Sequence, residues 1–210
     1  MSEPDLELEV AWQQYVSRDQ HALVRLLARH REPQRHYHTA QHVAWVIRHV
    51  RELADAEPVD HVEEVVAAAF YHDAVYEATS SGNEQASARL ARRDLADLGW
   101  ADDAVARVGS MIEATRHDHS TGEEEPRDTS VLLDADLAIL GADPAAYSAY
   151  ASGVRAEYHH LDDEAWRTGR AAVIAGFLGR PTIFRTPSGR DRWEDRARAN
   201  LTAELATLEA

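Results

Sequence analysis

Residues 70–75 read FYHDAV. They close an apolar run, VEEVVAAAFYHDAV over 62–75, and set a histidine and an aspartate where a helix should bury hydrocarbon. Val66, Ala69, Phe70 and Asp73 are spaced i, i+3, i+4 and i+7, so one helical stripe turns Asp73 toward the core. His72 lies about a third of a turn away, beside Val65 and Tyr76. A buried carboxylate with no partner costs several kcal/mol or more. All 22 basic residues are arginine and lysine is absent, so the partner of Asp73 must be an arginine or a metal ion.

The same conflict recurs in LLDADLAILG, residues 132–141. Asp136 has Leu132 and Leu133 one turn before it and Ile139 and Leu140 one turn after, which points it inward. Asp134 neighbours Val131, Leu137 and Ala138, a less bulky face, and is the weaker inward candidate. In HYHTAQHVAWV, residues 36–46, Thr39 is placed to cap a helix. His42 then falls in the first turn, at the edge of a stripe formed by Val43, Val46, Ile47, Val50 and Leu53. Two imidazoles and two carboxylates sharing one cation suit Mn²⁺, Fe²⁺, Co²⁺, Ni²⁺ or Mg²⁺ in octahedral geometry, with about two positions left for water and substrate oxygen.

Working outward, the periodicity predicts helices near 5–30, 40–56, 60–77, 84–98, 102–116, 129–141, 144–160, 163–179 and 192–208. Breaks fall at Glu32-Pro33, Glu57-Pro58, Ser81-Gly82-Asn83, Thr121-Gly122, Asp143-Pro144 and Arg180-Pro181. No segment alternates with period two. The expected fold is all-α, one compact helical domain over 1–210. A metal-binding core spans about 35–141, and helices over 144–208 pack on it. The acidic loop at Glu123, Glu124 and Glu125 is expected to be a solvated turn.

Composition narrows the function. There is no cysteine, which excludes disulfides, thiolate metal sites and cysteine nucleophiles. A formal charge of −15 repels nucleic-acid phosphates and anionic membranes, so neither is expected as a partner. A small anionic substrate can bind only where a cation or an arginine cluster overrides the global field. The N-terminal MSEPDLELEV, acidic from its third residue, is unlike a secretory leader, and the expected location is cytoplasmic. No G-x-S-x-G, G-x-G-x-x-G or phosphate-loop motif occurs. A homodimer through an outer helix is a possibility the sequence leaves open.

The ordered set His42, His72-Asp73, Asp136 resembles the HD superfamily of metal-dependent phosphohydrolases, an all-α family that binds metal through H…HD…D. RHYHTAQHV, FYHDAVYE, GNEQAS, LLDADLAILG and RARANLTAEL look like its predicted-phosphohydrolase branch, so the resemblance spans residues 35 to about 205. It implies one divalent ion held by His42, His72, Asp73 and Asp136, and hydrolysis of a phosphoester or phosphoanhydride of a small molecule, with a nucleotide as the expected substrate. His38 sits in a YH-x-x-x-H pattern similar to that of the general-acid histidine of cyclic-nucleotide phosphodiesterases. Glu77 is similar in position to an acidic residue that orients water in hydrolases of guanosine tetraphosphate. The resemblance also implies site roles for Asn83 and Glu84, although plain capping accounts for much of both.

His117 and His119 are candidates for substrate phosphate contacts or a second metal site, against a helix-dipole explanation. Arg35, Arg116 and Arg185 are candidates to hold phosphate. Two rival readings remain. One is a non-catalytic metal-containing binding or sensing module. The other is an HD-type di-iron oxygenase, which needs two further histidines that only His117 and His119 could provide.

Overall fold

The structure is a computed structural model that describes residues 3–117 and 125–209. His119, Glu123 and Glu124 lie outside the described residues. The architecture is all-α, and no strand occurs among the described residues. The helices are α1 (Glu3–Tyr15), α2 (Gln20–Arg29), α3 (Ala40–Ala54), α4 (Val62–Tyr71), α5 (Asn83–Asp97), α6 (Asp102–Ala114), α7 (Arg127–Leu137), α8 (Pro144–Glu157), α9 (Asp163–Leu178) and α10 (Pro187–Leu208). A 3₁₀ turn, Ala138–Gly141, continues α7. No helix among the described residues is long and apolar enough to cross a membrane.

Helix α4 is the axis of the core. Every residue from Glu64 to Tyr71 is buried, as expected of a helix apolar on all sides. It packs against α1, α3, α5, α6 and α7, and Ala67, Ala68 and Ala69 keep its girth small. Phe70 meets the edge of Trp12 at 5.2 Å between ring centroids. Burying each such ring contributes about 2–3 kcal/mol. The one acidic side chain within this helix's buried stretch, Glu64, is matched by a bidentate Arg107 at 2.6 and 2.8 Å.

Four boundaries differ from the sequence expectation. The run 5–30 is two helices, because the Asp19 carboxylate accepts from the His21 and Ala22 N–H groups and starts α2. The run 60–77 stops at Tyr71, so His72 and Asp73 stand at the helix end rather than inside it. Side chains take over the backbone groups that follow. Arg35 donates to the carbonyls of Asp73 (2.6 Å) and Ala74 (3.3 Å), while Ser87 bonds both the N–H and the carbonyl of Val75. The α-helix expected to run to 141 tightens to 3₁₀ after Leu137. The last helix begins at Pro187, not 192, with Thr186 as N-cap and proline in the first turn.

The C-terminal helices close over the end of α7. Helix α10 packs on the 3₁₀ turn and on α9, and α8 packs on the same turn. Asn200 donates to the carbonyls of Leu140 (2.8 Å) and Ala142 (3.0 Å). Gly141 permits the approach: a Cβ there would lie 2.5 Å from the Trp193 Cβ and 2.8 Å from its backbone.

Candidate metal centre

Three segments bring the four candidate ligand side chains together. His42 comes from the first turn of α3, His72 and Asp73 from the end of α4, and Asp136 from the last turn of α7. Thr39 is the N-cap residue of α3, but its side chain makes no capping bond. His42 Nε2 lies 3.1 Å from His72 Nε2. Asp73 Oδ2 is 3.4 Å from His42 Nε2 and 3.1 Å from His72 Nε2. Asp136 Oδ1 is 3.3 and 3.5 Å from the same two nitrogens. His42, His72 and Asp73 form a group that could hold a metal ion, and Asp136 lies against the two histidine nitrogens of that group.

The donor chemistry fits a divalent cation. The Nδ1–H of His72 donates to the Ala69 carbonyl at 2.8 Å, which leaves its Nε2 lone pair aimed at the centre of the group. Two imidazole nitrogens and two carboxylate oxygens face one another there. The two carboxylates and the Nε2 of neutral His72 are acceptors, and a cation among them would remove their mutual repulsion. Burial opposes the imidazolium forms, yet hydrogen bonds and charge from Asp136 and Asp73 prevail, so His42 is raised and His72 raised well above the ordinary range. Burial likewise opposes the two carboxylates in ionised form. The charge of His72 outweighs it at Asp73, and hydrogen bonds from His117, His42 and His72 do so at Asp136, so both carboxyls are held well below their usual range. The histidine side chains are sealed, whereas Asp73 and Asp136 keep 17% and 15% of their side-chain surface exposed. The group opens at Asp136.

That side faces a cavity of about 500 Å³, lined by Asp136, His38, Tyr76, Arg116, His117 and Arg180, with Tyr150, Leu140 and Phe177 among its apolar walls. The volume is in the range of small-molecule sites. The Nε2–H of His117 donates to Asp136 Oδ2 at 2.8 Å. It reaches that oxygen from a left-handed backbone, φ 56°, a conformation uncommon outside glycine. Arg180 donates to the His117 carbonyl and so holds this turn.

His38 stands at the cavity edge, stacked on Tyr76 with 4.1 Å between centroids. Its orientation comes from Glu157, at the end of α8 and only 4% exposed. One carboxylate oxygen of Glu157 accepts the N–H groups of His36 (2.8 Å), Tyr37 (2.8 Å) and His38 (3.0 Å), and the other bonds His38 Nδ1 at 2.6 Å. Burial raises the Glu157 carboxyl, but His38 and these N–H groups hold it at about 2.

Other expected site residues are placed elsewhere. Arg35 is 5% exposed and donates to Glu32 and to the carbonyls of His38, Asp73 and Ala74. It ties the 36–38 loop to the His72-Asp73 turn and does not line the cavity. Asn83 bonds the Glu77 N–H and the Glu77 and Ser80 carbonyls, a staple within its own loop. Glu77 is exposed, and neither it nor Glu84 lines the cavity. Arg116 does line it, and Arg185 does not.

Asp134 corrects the ranking of the two α7 aspartates. It is fully buried, accepting from the Arg185 N–H (2.7 Å), the Thr186 N–H (2.8 Å) and the Thr186 hydroxyl (2.7 Å). Its role is to seat the chain entering α10.

Two residues at the site, Glu157 and Arg180, are not among the sequence candidates. Both lie beyond the expected core of 35–141. Comparison of the chain with known protein families, with curated proteins and with solved structures finds no match.

Proposed function

We propose that the protein is a metal-dependent phosphohydrolase of the HD type, acting on a phosphoester or phosphoanhydride of a small molecule. The observation that carries the proposal is the convergence of His42, His72, Asp73 and Asp136. The two histidine nitrogens lie 3.1 Å apart and each lies 3.1–3.5 Å from an oxygen of Asp73 and of Asp136, side chains brought together from three segments, and Asp136 lines a cavity that also presents arginine. A divalent cation held there supplies Lewis acidity toward a phosphoryl oxygen and activates water.

The protein's own groups supply the rest. Asp136 presents negative charge to the cavity, and Asp73 adds its charge within the cluster. Ala69 fixes the tautomer of His72 through its carbonyl. Glu157 holds His38 by Nδ1, which leaves Nε2 as the polar atom this cavity-lining ring offers to a substrate oxygen, the position a proton donor to the leaving group needs. Arg116 and Arg180 put cationic groups beside the cluster in a chain of net charge −15, where a phosphate otherwise meets repulsion.

The test is metal analysis of untagged protein together with phosphate release from a panel of nucleotides and phosphoesters in Mn²⁺, Co²⁺ and Ni²⁺. The proposal predicts close to one ion per chain and metal-dependent phosphate release, both lost in His72→Ala and Asp136→Ala. Absence of stoichiometric metal under replete conditions contradicts it. Tightly held metal with no turnover of any substrate favours the non-catalytic binding module. Iron near two per chain with oxygen consumption favours the oxygenase.

A further inference from the structure

One face of α9 has no helix packed on it. Gly169, Ala172, Val173 and Gly176 are spaced i, i+3, i+4 and i+7, so they share a stripe, and all four are exposed. The buried residues of the helix, Arg170 and Ile174, lie on the other side. Val173 is one of the few large apolar side chains the protein exposes, at 52%. The two glycines keep the stripe open: a Cβ at either would meet nothing within 4 Å.

This stripe borders a gap. Helix α8 packs on the 3₁₀ turn and α9 on α10, while α8 and α9 make little contact with each other. Between them runs a groove of about 270 Å³, walled by Val154, Tyr158, Leu161, Trp166, Gly169 and Val173, with Arg170. Val154, Tyr158 and Val173 also line the cavity at Asp136, as do Ala172 and Gly176 of the stripe. Groove and cavity therefore adjoin along a shared wall.

The combined space is charged at one end only. His38, Arg116, His117, Asp136 and Arg180 line the cavity, and His117 links Asp136 to Arg180 by hydrogen bonds. Away from them the lining is aliphatic or aromatic. Arg170, the one charged residue of the groove, is committed to Glu204 at 2.8 and 3.0 Å and to the Tyr150 hydroxyl at 3.2 Å. Among the described residues, no asparagine, glutamine, serine or threonine lines either space. A sugar or nucleobase seated there would give up water for few partners in return. An apolar chain gains by leaving water.

Resting on the phosphohydrolase reading, we propose that the gap between α8 and α9 seats an apolar chain of the substrate, so that the preferred substrates are phosphate esters of chain-like apolar alcohols rather than nucleotides or sugar phosphates. Water attacks phosphorus and the P–O bond to the chain breaks. The alcohol leaves with one of water's two protons, and orthophosphate keeps the other.

Two measurements test the assignment. In the first, ethyl- and octylphosphonate, neither of which can be hydrolysed at an ester bond, are titrated calorimetrically into metal-loaded protein. Each methylene that leaves water strengthens binding by up to about fourfold, so the octyl compound should bind at least about tenfold more tightly. Gly169→Trp fills the groove from an exposed site with open space around it, and Val173→Asp puts a charge on its shared wall. Each should erase most of the chain-length preference, with metal content and far-UV circular dichroism unchanged. In the second, kcat/KM for octyl phosphate should exceed that for ethyl phosphate and for a nucleoside monophosphate by at least about tenfold, and the ratio should fall toward one in Gly169→Trp. Equal affinity for the two phosphonates, no binding of either, or an octyl preference that both variants retain overturns the assignment. Faster hydrolysis of the nucleotide than of octyl phosphate also overturns it and leaves the hydrolase reading standing. Groove-dependent binding of octylphosphonate with no turnover of any ester sinks the hydrolase reading and leaves the chain site standing.

Discussion

Replacing Glu157 with glutamine removes one charge from a buried carboxylate that organises the 36–38 loop. Its carboxyl is held at about 2 against an ordinary 4.5. At about 1.4 kcal/mol for each factor of ten, ionisation of this group contributes roughly 3 kcal/mol to stability at neutral pH. The sign follows from the direction. A depressed carboxyl contributes fully above pH 4.5 and loses that contribution as the pH falls toward 2, because the unfolded chain takes up the proton first. The difference between wild type and Glu157→Gln should therefore be about 3 kcal/mol at pH 7 and about half that at pH 3. Urea denaturation at both pH values, followed by far-UV circular dichroism, measures it. A difference that stays the same at pH 7 and pH 3, or falls below about 0.5 kcal/mol at pH 7, refutes the reasoning, since the three N–H bonds and the His38 bond would then be worth no more to the ionised group than water.

Three further predictions follow from single environments. His30 is 1% exposed and is held at about 3 by burial and by the charge of Arg35; a histidine kept neutral in the fold loses stability as pH falls below 6.5, by up to about 1.4 kcal/mol per pH unit, so His30→Gln should flatten the acid limb of the stability profile between pH 6.5 and 3. Asp134→Ala should destabilise by about 2–4 kcal/mol, because it orphans two N–H groups and a hydroxyl, yet leave metal content intact, whereas Asp136→Ala should remove the metal at smaller cost in stability; denaturation and metal analysis of the same two samples separate them. Gly141→Ala forces a methyl against the Trp193 backbone and should cost about 1–3 kcal/mol, read as a lower urea midpoint than wild type.

Much of this architecture is legible in the chain because its strongest signals are local. The 3.6-residue period over 62–71 and the inward turn of Asp136 reflect hydrophobic faces that each segment carries by itself. What escapes is decided by distant partners. Asp134 sits on the less bulky face of α7, and only residues 185–186, some fifty positions away, reveal why it is buried. Glu157 reads as an ordinary helix residue, since nothing around it announces that a loop at 36–38 will offer three N–H groups. The end of α4 is set by Arg35 and Ser87, which capture the carbonyls and N–H that would have continued the helix. Thr186-Pro187, by contrast, is a readable start signal, a capping residue followed by proline in the first turn; the weak amphipathicity of the first turns of α10 obscures it.

The convergence of His42, His72, Asp73 and Asp136 on a shared ion is the claim on which the functional reading rests. Anomalous diffraction from crystals of Mn²⁺- or Co²⁺-loaded protein tests it most directly. The account predicts a strong anomalous peak ligated by the two Nε2 atoms and by an oxygen of each aspartate. A fully loaded crystal with no peak there, or with its peak bound by other residues, contradicts it.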